Sequence, residues 1–194
     1  MSFFSNFFKS SNITTNWEKS SVVNLTFNFS NNSINNIKIG DDFERLSSLG
    51  TCDNKVISKI LDYDYYSMGI MIGTKKDNKI DTFLLYFNDV IEKKFSPFTG
   101  KFIYQNKNIF LSDKTTKKEF IAIFGEPYWE NIDISGDKIY DEIILFYEFK
   151  NLEWQVEFTS DEKLKLFMAI DNPIMSDLGN RKNYGVTKSW TPKF

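Results

Sequence analysis

Two groups of carboxylates are the side chains in this chain best suited to chemistry. Asp62 and Asp64 stand two residues apart, and Glu148, Glu153 and Glu157 follow in a later acidic series. A pair such as Asp62 and Asp64 has the chemistry to hold a hard divalent cation or do acid–base work on a glycosidic bond. On a strand, Asp62 and Asp64 share one face, and a solvated strand face accounts for them without any reaction. Little other chemistry is available. The chain has no histidine, which removes Ser-His-Asp and Cys-His catalysis, imidazole zinc sites and the usual base near neutral pH. Its one cysteine, Cys52, forms neither a CxxC site nor an intrachain disulfide, and reads as a small residue just after a helix. No GxGxxG or GxxxxGK[ST] cradle for phosphate occurs. The expectation is no catalytic residue, no metal site and no cofactor.

The elements that would carry these side chains must fit a chain of 194 residues, enough for one compact domain or two small repeats. Apolar residues make up 41%, with 20 phenylalanines, so a sizeable core is expected. Net charge is −2, from 24 basic and 26 acidic residues, which gives no strong field for nucleic acid or anionic lipid. Lys75, Lys76 and Lys79 gather around a turn, where lysine serves solubility. No run of 18 apolar residues occurs, so no membrane span is expected. The opening MSFFSNFFKSS is too short in its apolar stretch for a signal peptide, and the lone cysteine suits a reducing compartment; both point to the cytoplasm. Phe3, Phe4, Phe7 and Phe8 share one helical face, which fits a docked or frayed terminus, or else a short amphipathic anchor.

A degenerate repeat runs through the chain. Residues 41–50 align without a gap on residues 116–125, an offset of 75. Asp41 and Thr116 start the two segments, and Glu44 and Glu119 follow three positions later, the spacing of a capping box. Leu46 matches Ile121, Leu49 matches Phe124, and both segments close on glycine. Each is preceded by a hairpin pattern and followed by three strand-like runs. In the second meander, Ile143, Leu145 and Tyr147 point one way and Ile144, Phe146 and Glu148 the other. Leu152, Trp154, Val156 and Phe158 share a face, with Glu153, Gln155 and Glu157 opposite. That alternation predicts an antiparallel sheet packed on one side and wet on the other.

The capped helix ending in Phe-Gly-Glu-Pro, with an aromatic-rich meander after it, resembles the repeat unit of the β-lactamase-inhibitor-like proteins. The matching residues are 116–127 with 141–170, and more faintly 41–50 with 56–87. The resemblance implies tandem short helices on antiparallel strands, a protein partner and no catalytic residue. A looser likeness is to the small cytoplasmic immunity proteins that neutralise bacterial toxins.

The expected fold is α+β: two related units, each a short helix on an antiparallel β-meander. The boundaries are an N-terminal segment 1–19, units 20–95 and 96–171, and a tail 172–194 packed on the body. The tail carries Arg181, Lys182, Lys188 and Lys193 beside Tyr184 and Trp190, which suits either a strap or part of a partner surface. The expected function is inhibition of a cognate protein, a bacterial toxin or effector, by occlusion through a sheet surface. The contacts would be exposed aromatics Tyr63, Tyr65, Tyr128 and Trp129 with the wet carboxylates Glu148, Glu153 and Glu157. A non-catalytic adaptor in a larger bacterial assembly is the alternative.

Overall fold

The structure, a computed structural model, describes residues 12–18, 24–54, 56, 61–88, 93–134, 136 and 141–190. The Phe3, Phe4, Phe7 and Phe8 face and Lys193 lie outside the described residues. The architecture is α+β, with two sheets dominated by antiparallel pairing and little helix. The first sheet holds β1 (Thr26–Asn28), β2 (Ser33–Ile34), β3 (Ile37–Lys38), β7 (Lys101–Tyr104) and β8 (Lys107–Ile109), in the order β3-β2-β1-β7-β8. The second holds β4 (Tyr63–Tyr65), β5 (Ile70–Thr74), β6 (Ile80–Tyr86), β9 (Trp129–Asp133), β10 (Glu142–Glu148), β11 (Glu153–Thr159) and β12 (Leu164–Ile170), in the order β4-β5-β6-β12-β11-β10-β9.

Local chemistry sets the tight turns. Asn35 and Asn36 both take positive φ between β2 and β3, as do Gln105 and Asn106 between β7 and β8. Two consecutive residues of that sign match the right-handed twist of the flanking strands, and asparagine tolerates it best among side-chain-bearing residues. β1 pairs with β7 in parallel, which ties the first hairpin to the second. β6 pairs with β12, which joins the two meanders into one sheet.

The two sheets face each other across an aromatic interior. Phe27 lies 5.3 Å from Phe167 and 6.3 Å from Phe83, and Phe29 lies 5.0 Å from Phe167, ring centre to ring centre. Tilted and edge-on contacts dominate, the arrangement that ring quadrupoles favour. Two helices pack on this core. The 3-10 helix Phe43–Leu49 buries Phe43, Leu46 and Leu49. Helix α1 (Lys117–Phe124) buries Phe120, whose ring sits 4.4 Å from Phe124 and 5.9 Å from Phe158.

The expected capping box is present at α1. Thr116 Oγ1 accepts from Glu119 N at 3.2 Å, and Thr116 N donates to Glu119 Oε2 at 2.8 Å. Thr116→Ala is expected to lower stability by about 1 kcal/mol in a urea titration. The first helix differs from the expected box. Asp42, not Asp41, stands at its cap, without a side-chain bond to the helix, while Asp41 Oδ2 accepts from Lys38 N at 2.9 Å. Asp41 is thereby turned towards the hairpin before the helix, and the helix tightens to a 3-10 form.

Candidate functional site

The acidic series lies around the β10–β11 hairpin. Register pairs Glu148 with Glu153 directly across the two strands, next to the turn closed by Phe149 N donating to Leu152 O at 2.8 Å. Such cross-strand neighbours have Cβ atoms about 4.5–5.5 Å apart. Both glutamates are fully buried, which corrects the expectation of a wet face. The cover is residues 173–190, which cross this side of the sheet as a strap. The strap contains the 3-10 turn Ile174–Ser176 and a short helix α2 (Leu178–Asn183). Met175 is buried against Tyr128, Ile144 and Phe146, and Tyr184, Val186 and Trp190 pack on the same cluster. Lys188 ties the strap down, its Nζ donating to Tyr128 O at 2.8 Å, while Arg181 Nη1 donates within the strap to Met175 O at 3.0 Å.

The two buried glutamates differ in their surroundings. Glu153 Oε2 accepts from Met175 N at 3.2 Å, and its other oxygen accepts from the Gln155 amide. Neither oxygen of Glu148 has a donor group to accept from among the described residues, and the group it can share a proton with is the facing Glu153 carboxyl. Burial, and then the neighbouring Glu153, push the Glu148 carboxyl far above the usual carboxylate range. Desolvation and a like charge act in the same direction there. Burial and the facing Glu153 thus both favour the neutral acid form of Glu148.

Glu157, further along β11, is only partly buried. It pairs with Lys165 at 3.1 Å, and Lys165 also reaches Glu142 at 3.2 Å. Burial raises the Glu157 carboxyl, an effect that Lys165 opposes. Burial works against the charge on Lys165, but Glu157 and Glu142 outweigh it and its ammonium is stabilised overall. This is a structural ion-pair row along the sheet, occupied by its own members.

The expected aromatic contacts are also corrected. Tyr63 and Tyr65 on β4 are buried, because Trp17 stacks on Tyr63 at 6.1 Å and Phe43 lies 6.3 Å from it. Burial pushes the Tyr63 hydroxyl up to about 12, and that hydroxyl has no hydrogen-bond partner among the described residues. The Tyr65 hydroxyl donates to Gly50 O at 3.3 Å. Tyr128 is buried under Trp190 at 5.9 Å, and Trp129 is half-buried. The seven expected residues thus fall into three places: an edge strand under Trp17, the face under the strap, and the ion-pair row.

Asp62 is exposed and Asp64 half-buried, with the Tyr66 hydroxyl donating to Asp64 Oδ2 at 3.2 Å. Among the described residues no group of three or more Cys, Asp or Glu is placed to hold a metal ion. Cys52 is buried, its Sγ 3.3 Å from Thr14 Oγ1, and burial pushes the thiol up. That environment suppresses the thiolate.

The most prominent exposed feature is one that the sequence reading passed over. Phe110, the residue after edge strand β8, is 80% exposed. It stands between two depressions. One, of about 540 Å³, is walled by Phe87, Phe98, Phe102, Ile109 and Leu111. The other, of about 410 Å³, lies against Thr115, Ala122 and Ile123 at α1. The signal was present in the run Ile109-Phe110-Leu111: alternation that buries Leu111 and half-buries Ile109 turns Phe110 outward.

The geometry defines an α+β domain with an apolar knob and grooves on its surface and its acidic pair sealed inside. No protein-family model matches the chain, and no curated protein matches it. Among solved structures it is similar to the crystal structure of a DUF4309 family protein (YjgB) from Bacillus subtilis. The two are 14% identical, the match covers 71% of this chain and 83% of that chain, and the TM-score is 0.45. No helix among the described residues is long and apolar enough to cross a membrane.

Proposed function

We propose that the protein binds and neutralises a cognate protein, in the manner of an inhibitor or immunity protein, and that the occluding surface centres on Phe110. The observation that carries this reading is an aromatic ring, 80% exposed, standing between a groove with largely apolar walls and a second, of mixed lining, that includes Lys114 and Glu119. Single exposed apolar residues are ordinary. A rigid ring flanked by depressions that accept a partner's side chains has the form of an interface hot spot. The grooves are preformed in the free protein, which limits the ordering cost of association. The acidic pair, sealed away from solvent, supports neither occlusion nor catalysis from outside.

Phe110→Ala is expected to leave stability within about 0.5 kcal/mol and to weaken binding by about 30-fold or more. The partner is first captured from native cells with the wild-type chain, and co-expression is then scored for rescue of growth. Loss of both capture and rescue in the variant supports the surface; undiminished capture and rescue would sink it.

We also read units 20–95 and 96–171 as related halves, as the likeness to β-lactamase-inhibitor-like repeats implies. In support, each runs from hairpin to short helix to strands, and each helix starts beside a strand bridge, Asp42 to Lys79 and Thr116 to Lys163. Both helices end on glycine at φ 83, Gly50 and Gly125. A crystal structure whose halves fail to superpose over helix and meander would dismiss the relation.

One observation favours the adaptor reading. β9 ends the larger sheet, and Ile132 and Ile134 at that edge are 57% and 55% exposed. An open apolar edge is a template for self-pairing. A concentration-dependent assembly in sedimentation, abolished by Ile132→Lys, would move the assignment to that class; a monomer at all concentrations keeps the inhibitor reading.

A further inference from the structure

We propose that residues 173–190 are a proton-held clasp, closed over the Glu148–Glu153 pair while the two carboxyls carry one proton between them and opened as that proton passes to solvent. The inference is independent of the Phe110 surface. It rests first on register, which sets the two glutamates opposite each other at the end of one hairpin. It rests second on burial, since both are fully buried and the strap packs on Ile144 and Phe146, the residues that share the face of β10 with Glu148. It rests third on a direct bond, Met175 N of the strap donating to Glu153 Oε2 at 3.2 Å.

The groups around the pair leave the second charge uncompensated. From the strap, Arg181 and Lys188 donate to the carbonyl oxygens of Met175 and Tyr128. From the segment before β9, Tyr128 presents a hydroxyl that donates to Ser189 O at 3.2 Å. From β11, Gln155 gives one amide hydrogen to Glu153. From β10 comes Glu148 itself, with no donor to either oxygen among the described residues and the Glu153 carboxyl facing it. One carboxylate is thus satisfied at this site and the other carboxyl is stable only as the neutral acid. Two like charges opposite each other in a dry hairpin repel, and lifting the strap lets water reach both.

The sign follows from linkage. The closed state holds its proton on Glu148 at a pH where a hydrated glutamate side chain, near ~4.3 in water, has lost it. Opening therefore releases one proton, and the opening constant rises about tenfold per pH unit across that window. The clasp is tightest in acid and loosens as pH rises towards the raised value of Glu148. What it uncovers is the apolar patch of Tyr128, Ile144 and Phe146.

Hydrogen–deuterium exchange on the full chain, from pH 6 to pH 8 and corrected for intrinsic exchange, reads this directly. Protection of strap amides, Met175 above all, is expected to fall about tenfold per pH unit and to stay below that of β12 throughout, which marks local opening. Glu148→Gln is expected to abolish the slope, because the amide carries no proton to lose, and Glu157→Gln on the same sheet to keep it. A flat wild-type profile overturns the proposal whether or not the variants fold. So does an unchanged slope in Glu148→Gln, or strap protection equal to that of β12.

Discussion

Replacing Trp154 by alanine is expected to lower unfolding free energy by about 3–5 kcal/mol. The residue stands on β11 where the two sheets meet. Its ring lies 4.8 Å from Phe149, 5.5 Å from Phe29, 5.6 Å from Phe124 and 5.6 Å from Phe167. Its indole N–H donates to Asn32 Oδ1 at 2.7 Å, so the same side chain ties the β1–β2 turn to the larger sheet. Alanine removes ring contacts to both layers at once and leaves Asn32 without that donor. Trp154→Phe keeps most of the packing and loses the bond, for a cost of about 1 kcal/mol beyond the volume change. Urea denaturation of both variants separates the terms. A loss under 1 kcal/mol for alanine would mean that the sheets do not share this interior.

Gly69→Ala is expected to cost about 3 kcal/mol, from the sum of backbone strain and a forced shift of neighbouring chain. Gly69 sits at φ 67 after the 3-10 turn Tyr66–Met68, in the left-handed region. An added Cβ would fall 2.3 Å from Ser96 O and 2.6 Å from Phe98 N, both backbone atoms. That backbone is pinned, since Ser96 N donates to Tyr66 O at 2.8 Å and Phe98 N to Tyr86 O at 2.7 Å. The displaced segment carries Phe98, a wall of the groove beside Phe110. Gly40→Ala separates the two effects: φ is 91 there, but no atom lies within 4 Å of the added Cβ. Its loss is expected at about 1–2 kcal/mol, strain alone. Equal losses for the two would remove the close approach from the account.

The strand pattern was legible because pleating is a local rule. The alternation of Leu152, Trp154, Val156 and Phe158 placed those residues inward, and Trp154, Val156 and Phe158 are buried on one face of β11. The Thr116–Glu119 box was legible for the same reason, being complete within four residues. What alternation leaves open is whether the far face of a sheet is covered. Glu148 and Glu153 were assigned to water, and a strap more than twenty residues later in the chain covers them. A signal for this existed: Ile143 to Tyr147 is apolar at both parities, as expected of a strand buried on both sides. Tyr63 failed similarly, because Trp17, which stacks on it, is contributed from far upstream, and Tyr65 is buried with its hydroxyl on Gly50 O. β9 was passed over because Glu130 and Asn131 break its apolar pattern while its backbone still pairs with β10.

Hydroxyl-radical footprinting of the free protein tests most directly the claim that the aromatic face is interior and that, among the described residues, the ring at 110 is presented to solvent. Phe110 is expected to label near the rate of a free phenylalanine, with Tyr63, Tyr65, Phe146 and Trp154 slowed at least tenfold after correction for side-chain reactivity. Labelling of Tyr63 and Phe146 at the rate of Phe110, or protection of Phe110 in the free monomer, would contradict the account.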